Sequence, residues 1–343
     1  MNRLTERLAL SAFGRSWGVL FPKDRIKVGI VAFLQVLMSL LDLLGVLAIG
    51  LLGALSVTGL QENVPGKRVS SVLQMLHISD LPFQTQTAIL GIGALTFLVG
   101  RTCLSIFFTR RILFFFSRRG AKISADLVSR LLSQPLLIVQ TRTSQETLYA
   151  LTRGVELIVL QVLATSIVLI ADISLLIVMA VGLFVIDSST AIGLFIVFSA
   201  IGYFLYHFMH FRAGTLGAES SELNILSNEK IVEVFSSYRE AVVRNRREFY
   251  AREIGSLRFS LANVSAQLNF LPYVSKYVIE TAVIVGAILI GFAQFFLQDA
   301  QHAVATLVIF LAAGSRIAPA VLRIQQGSIS IKSAIGQAAP TLD

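Results

Sequence analysis

The residues best placed to do chemistry are the charged ones that interrupt the apolar runs. Arg101, Lys276, Arg316 and Arg323 are bases, and Asp42, Asp172 and Glu280 are acids, each set among aliphatic or aromatic neighbours. A base at the centre of a membrane-spanning helix costs about 2.5–3.5 kcal/mol on insertion scales, so such residues face a cavity or a partner. Arg316 and Arg323 are seven apart and share one helix face, with Pro319 between them to kink the helix. Guanidinium forks match phosphate oxygens bidentately, so a belt built from the four bases suits an anionic headgroup such as a lipid pyrophosphate, or an acidic glycan. The competing reading is that the long stems snorkel to lipid headgroups and that Lys276 simply pairs with Glu280 one turn along. Asp42 and Asp172 are expected to pair with bases across helices; the alternative is a protonated acid, as a proton-driven carrier would need.

Nothing else in the chain points to catalysis. No Ser/His/Asp set, thiol nucleophile or carboxylate pair is placed by a recognisable motif, so no catalytic residue is assigned to this chain. His207 and His210 lie three apart with no third ligand near them, and no metal is expected. The one cysteine, Cys103, sits in an apolar stretch and reads as a small packing residue; it excludes an intrachain disulfide. No G-x-x-x-x-G-K-[ST] occurs, since Gly66-Lys67-Arg68 lacks both the upstream glycine and the hydroxyl. The backbone cradle for nucleotide phosphates is therefore missing from the sequence, and no cofactor is expected on it.

The elements that must position these charges are membrane helices. Hydrophobic residues make up 55% of the 343 and charged residues only 14%, with a mean hydropathy of +0.76. A soluble domain carries about a quarter charged residues, so an integral membrane protein with an all-α fold is expected. Six stretches are long and apolar enough to cross: 28–57, 86–108, 155–186, 190–208, 268–297 and 303–323. Arg101, Lys276 and Arg316 then all fall in the inner half of the bilayer, about 22 Å from the outer end, 12 Å from the inner end and 20 Å from the outer end of their spans.

The net charge of +9 follows the topology and does not indicate nucleic acid. Six bases precede the first span, eight lie between the second and third, and eight between the fourth and fifth; the opposite side has only Lys67 and Arg68. Positive-inside places both termini in the cytoplasm. Residues 1–27, with Arg7 and Arg15 breaking the apolar run, read as an interfacial helix and not a cleaved signal. Outside, Val69, Val72, Leu73 and Leu76 form a stripe that predicts a short amphipathic helix. Inside, two segments of about 45 residues carry helical-period apolar residues and read as helices that leave the bilayer, turn and return. Their turns are expected from Gln134-Pro135 onward and at Ser236-Ser237-Tyr238.

This arrangement resembles the transmembrane domain of type I ABC exporters. The stretch RLLSQPLLIVQTRTSQETLYALTRGVELI (130–158) is similar to the family's first intracellular loop, and EKIVEVFSSYREAVVRNRREFYAREI (229–254) to its second. SRIAPAVLRIQQ (315–326) resembles the last span of the branch that handles lipid-linked oligosaccharides, polysaccharides and glycolipids. The sequence departs from the family at Gln145, where a glycine is usual, and at Gly154, where an aspartate is usual. The resemblance implies a six-helix domain over 28–335 with a short tail at 336–343. It also implies coupling helices that include Pro135, Leu136 and Leu137 in the first loop and Phe235, Ser236, Ser237, Tyr238 and Arg239 in the second. It further implies a homo- or heterodimer in a bacterial inner membrane, surrounded by lipid. ATP and Mg²⁺ are expected on a separate ATPase partner, and the cargo is expected to be an anionic lipid-linked glycan or glycolipid moved outward. A peptide or drug exporter of the same fold, or a truncated, non-transporting adaptor, are the alternatives.

Overall fold

Inside hydrocarbon every backbone N–H and C=O must be satisfied within its own segment, which leaves a chain this apolar little choice but helix. The computed structural model describes residues 82–135, 143–186, 188–297 and 300–342, with scattered helical positions between 29 and 52. Among the described residues there is no strand. The expected helices at 1–27 and around 69–76 lie outside them.

Helix α1 (Phe83–Leu132, 50 residues) opens after Pro82. It closes in a tight turn in which the Ser133 and Gln134 N–H groups donate to the Arg130 and Leu131 carbonyls at 3.2 and 3.0 Å, just before Pro135 ends the pattern. Helix α2 (Ser144–Tyr149) starts on Thr143, whose hydroxyl accepts from the Glu146 N–H at 3.2 Å and caps it. It runs on through π-helical stretches at Ala150–Gly154 and Leu157–Ala164 into α3 (Thr165–Ile186). Helix α4 (Ser188–Ser236) begins two residues after α3 ends; α5 (Tyr238–Val243) is short; α6 (Arg247–Leu297) returns; α7 (Ala300–Gln337) and α8 (Ala339–Leu342) complete the chain.

Three of these helical runs, Gln84–Leu132, Ser144–Gly182 and Arg247–Leu289, are long and apolar enough to cross a membrane. Large apolar side chains such as Ile92, Leu95, Ile106, Ile284 and Leu289 stand more than half exposed along them. A soluble monomer seldom leaves so much contiguous apolar surface uncovered. The protein is an all-α, membrane-associated protein.

The reversal between α4 and α6 differs from expectation. Ser236-Ser237-Tyr238 makes only a one-residue break, and the chain turns back at Arg244–Arg246. Asn245 takes a left-handed conformation (φ 53°). The Arg246 and Asn245 N–H groups bond the Ala241 and Val242 carbonyls at 2.9 and 3.1 Å. That is a Schellman C-cap with asparagine in the place glycine usually fills. At the other end of the chain, α7 does not stop at 323 but runs about four turns further.

The packing is organised around α7. Its most extensive partner is α4, and the two approach backbone to backbone. A Cβ added at Gly217 would meet the Ser333 carbonyl, and one at Gly336 would meet the Gly214 carbonyl and lie 2.9 Å from the Ala218 nitrogen. Glycine, with no Cβ, permits this close approach of two helix backbones. The main core joins Leu175 and Met179 of α3, Phe198, Leu205 and Met209 of α4, Leu271 and Ile279 of α6, and Ile317 and Val321 of α7. A second core seats Ile112 and Phe116 of α1 on Val155, Val159 and Leu163. A third packs Ala334 and Ala338 on Tyr149, Leu157 and Ile158, where Thr341 Oγ1 also donates to the Ala150 carbonyl at 3.2 Å. The first apolar stretch joins in through Leu43, which packs over Gly182 of α3, and Gly45, which faces Leu98 of α1.

Two alanine substitutions test this packing. Gly217→Ala is expected to lower stability by about 2 kcal/mol, because the new methyl meets backbone that cannot rotate away. Gly255→Ala, on α6 with nothing within 4 Å of its Cβ, is expected to raise stability by about 0.5–1 kcal/mol through helix propensity alone. Thermal unfolding in detergent reads both, and equal effects at the two sites would contradict the close crossing.

Candidate functional site

An aspartate surrounded by aliphatic side chains keeps its charge only if a base answers it. Asp172 lies among Ile170, Ala171 and Ile173 on α3, and its side chain is 7% exposed. Arg323 of α7 supplies the base. Its Nε donates to both carboxylate oxygens at 3.0 Å, and its Nη2 donates to Oδ1 at 2.6 Å. This is the forked geometry that arginine makes and lysine cannot. The Arg323 side chain is still 43% exposed, and its bonds to the aspartate come from Nε and Nη2.

Polar rungs continue along α7 below this pair. Gln325, itself buried, donates from Nε2 to the Gly202 carbonyl of α4 at 2.7 Å. Ser328 Oγ lies 3.4 Å from His210 Nδ1, and the His210 ring stacks on Tyr206 at 4.4 Å. Lower still, the Lys332 stem lies over Gly214, and burial pushes its ammonium below the ordinary lysine range. Above Gln325 an apolar cavity of about 360 Å³ opens between α3, α4 and α7, lined by residues that include Leu176, Ala180, Phe195, Phe198, Val321 and Gln325.

The other residues singled out in the sequence are dispersed. Lys276 and Glu280 face each other along α6 at 3.8 Å, both well exposed. Arg101 is half-buried on α1. Arg316 holds a helical position on α7 seven residues before Arg323, but its side chain, like Asp42, lies outside the described residues. So do Leu136 and Leu137; Pro135 is exposed at the end of α1. At the second turn Phe235 is 72% and Tyr238 51% exposed. Their rings lie nearly parallel, with centroids 6.5 Å apart. Ser236 and Arg239 are exposed beside them, and the Ser237 hydroxyl donates back to the Glu233 carbonyl at 2.9 Å. His207 stacks on Tyr203, and no group of three metal-ligating side chains occurs among the described residues. Among the described residues, Lys276 and Arg323 thus have carboxylate partners. The sequence pointed to a cross-helix partner for Asp172 without specifying Arg323, because a separation of 151 positions carries no pairing signal.

Comparison with known proteins finds no family model and no curated protein that matches this chain.

The Asp172–Arg323 fork makes a two-sided prediction. Arg323→Met leaves a buried carboxylate unanswered and is expected to cost about 3 kcal/mol. Arg323→Met combined with Asp172→Leu is expected to recover most of that loss, because replacing a buried pair with apolar residues is often neutral. Unfolding midpoints of the two single variants and the double variant give the coupling energy, and simple additivity would show that the fork contributes nothing.

Proposed function

We propose that this chain is the transmembrane subunit of an ATP-driven exporter or flippase of the type I ABC kind. In this reading it moves an amphipathic, anionic lipid-linked glycan or glycolipid from the cytoplasmic side outward. Six spans, at the bounds given by the sequence, lie in a bacterial inner membrane with both termini cytoplasmic. The chain pairs with a second copy or a relative, and an ATPase supplied outside these 343 residues binds ATP and Mg²⁺.

The observation that carries the reading is the length of the helices on either side of the two cytoplasmic turns. Helices α1, α4 and α6 hold 50, 49 and 51 residues, about 75 Å each at the helical rise. The bilayer core takes up only about 30 Å of that length. The remainder supports a pair of rigid projections whose tips, at 133–143 and 237–246, would rest on a motor. The exposed Phe235, Tyr238 and Val243 suit an apolar socket in such a partner. Stiff helices transmit rigid-body rocking, which is how transporters alternate access. Arg101, Arg316 and Arg323 would meet the anionic cargo in the inner half of the membrane.

A second reading, a neutral peptide or drug as cargo, draws support from the apolar cavity between α3, α4 and α7 and from the neutralisation of Arg323 by Asp172.

Affinity purification from native membranes is expected to bring down an ATPase. Phe235→Asp with Tyr238→Asp should cut its recovery about tenfold or more by removing aromatic anchors, while leaving the unfolding temperature unchanged. In proteoliposomes holding both subunits, ATP should drive flipping of a fluorescent lipid-diphosphate glycan, and Arg101→Ala or Arg316→Ala should abolish it while sparing a neutral dye. An ATPase that never co-purifies, or binds the tip variant as well as the wild type, would overturn the assignment.

A further inference from the structure

A groove of about 360 Å³ runs along α1 past the end of its main apolar stretch, lined by Arg111, Phe114, Phe115, Arg118, Arg119 and Lys122. The spacing of these residues, three, four, seven, eight and eleven positions from Arg111, puts them on one helix face. Four bases therefore share one face. Arg111, Arg118 and Lys122 make no ion pair among the described residues, although Asp126 lies one turn beyond Lys122. The aromatic residues are integral to the groove. The Arg110 guanidinium lies over the Phe114 ring at 5.6 Å and that of Arg111 over Phe107 at 5.9 Å. Phe107 is 54% and Phe114 57% exposed, and both share the face of the groove, so the apolar surface of α1 continues down to the cationic cluster.

Three clustered bases, Arg111, Arg118 and Lys122, with no ion pair among the described residues favour an anion. The exposed rings beside them favour an anion that carries apolar substance. From Arg111 to Lys122 the cluster extends about 16 Å along the axis, far more than one phosphate covers. We infer that this groove binds a phosphate-ester headgroup bearing more than one phosphate, with the apolar part of the ligand laid along Phe114 and Phe107. Arginine supplies forked contacts to the phosphate oxygens and lysine a point charge. The site is separate from the residues assigned to cargo above, and the inference stands or falls independently of the transport reading.

The test uses the full chain purified in maltoside micelles. Binding of dioctanoyl phosphatidylinositol bisphosphate is compared with that of dioctanoyl phosphatidylcholine and of soluble inositol trisphosphate. Arg118→Gln with Lys122→Gln is expected to weaken binding of the bisphosphate about thirtyfold, the usual share of two bases near an anionic headgroup. Arg252→Gln with Arg258→Gln removes the same charge from exposed positions on α6 and is expected to change binding less than about threefold through screened, distant effects. Arg118→Lys with Lys122→Arg should keep the affinity. Competition by inositol trisphosphate at equal affinity assigns the site to a free phosphate ester; binding of the acylated form alone assigns it to a lipid. Equal losses in the groove and control variants, no loss in either, or equally tight binding of phosphatidylcholine would overturn the inference.

Discussion

A hydrocarbon layer about 30 Å thick accepts about 20 residues of any helix, and α1, α4 and α6 each exceed that by more than a factor of two. The surplus has to leave the membrane, and the connections decide on which side. Helices α3 and α4 are joined through position 187 alone, and α6 and α7 through 298–299. Little can therefore project at those ends. The surplus accumulates at the other ends, where the sequence places Arg118, Arg119 and Lys122 on α1 and Arg244, Arg246 and Arg247 at the second turn. In the proposed topology the positive-inside bias makes that side the cytoplasmic one. The basic groove of α1 lies on the same projecting portion.

Helices this long keep their relative positions only if they are fixed to one another, and α7 supplies the attachment. In lipid the apolar surface of one helix gains little by leaving its neighbours' tails, so tight contact rests on shape and on hydrogen bonds. Beyond the ends of the expected spans, the crossing of Gly214 and Gly217 with Ser333 and Gly336 lets the two backbones approach closely. The Arg323 fork on Asp172 and the Gln325 bond to Gly202 supply the directed contacts. Helix α1 attaches by a different route, through the π-helical stretch before α3. There Val155, Val159 and Leu163 face α1 while Leu157 and Ile158 face the end of α7. A helix packed on both sides must be apolar all round, and from Leu157 to Ala164 only Gln161 breaks the run.

Much of this fold could be read from the sequence because hydropathy and charge act locally. The apolar run before Arg110 and the return after Pro135 are written in residue type, and so is the need of Asp172 for a base. Three features were not visible. The Schellman cap at Asn245 moved the second turn eight residues from the serine pair, since asparagine's tolerance of positive φ is a weaker signal than a polar cluster. The continuation of α7 beyond Arg323 was missed because Gln325, Gln326, Ser328 and Ser330 look like the end of a span. Gln325 and Ser328 bond to α4, and the Gln326 amide donates to the Pro272 carbonyl of α6 at 3.5 Å. The pairing of Asp172 with Arg323 in particular depends on a contact distant in sequence, which one sequence alone cannot reveal.

The account rests on the two turns lying together on one side of the membrane, opposite the short connections. Single cysteines in a Cys103→Ser background, at Ser129, Asn245, Asp187 and Gln298, allow that to be measured with a membrane-impermeant maleimide in sealed vesicles of both orientations. Labelling at 129 and 245 only from the cytoplasmic face, and at 187 and 298 only from the outer face, is the predicted result. Labelling of 129 and 245 from opposite faces, or of either together with 187 from the outer face, would contradict it.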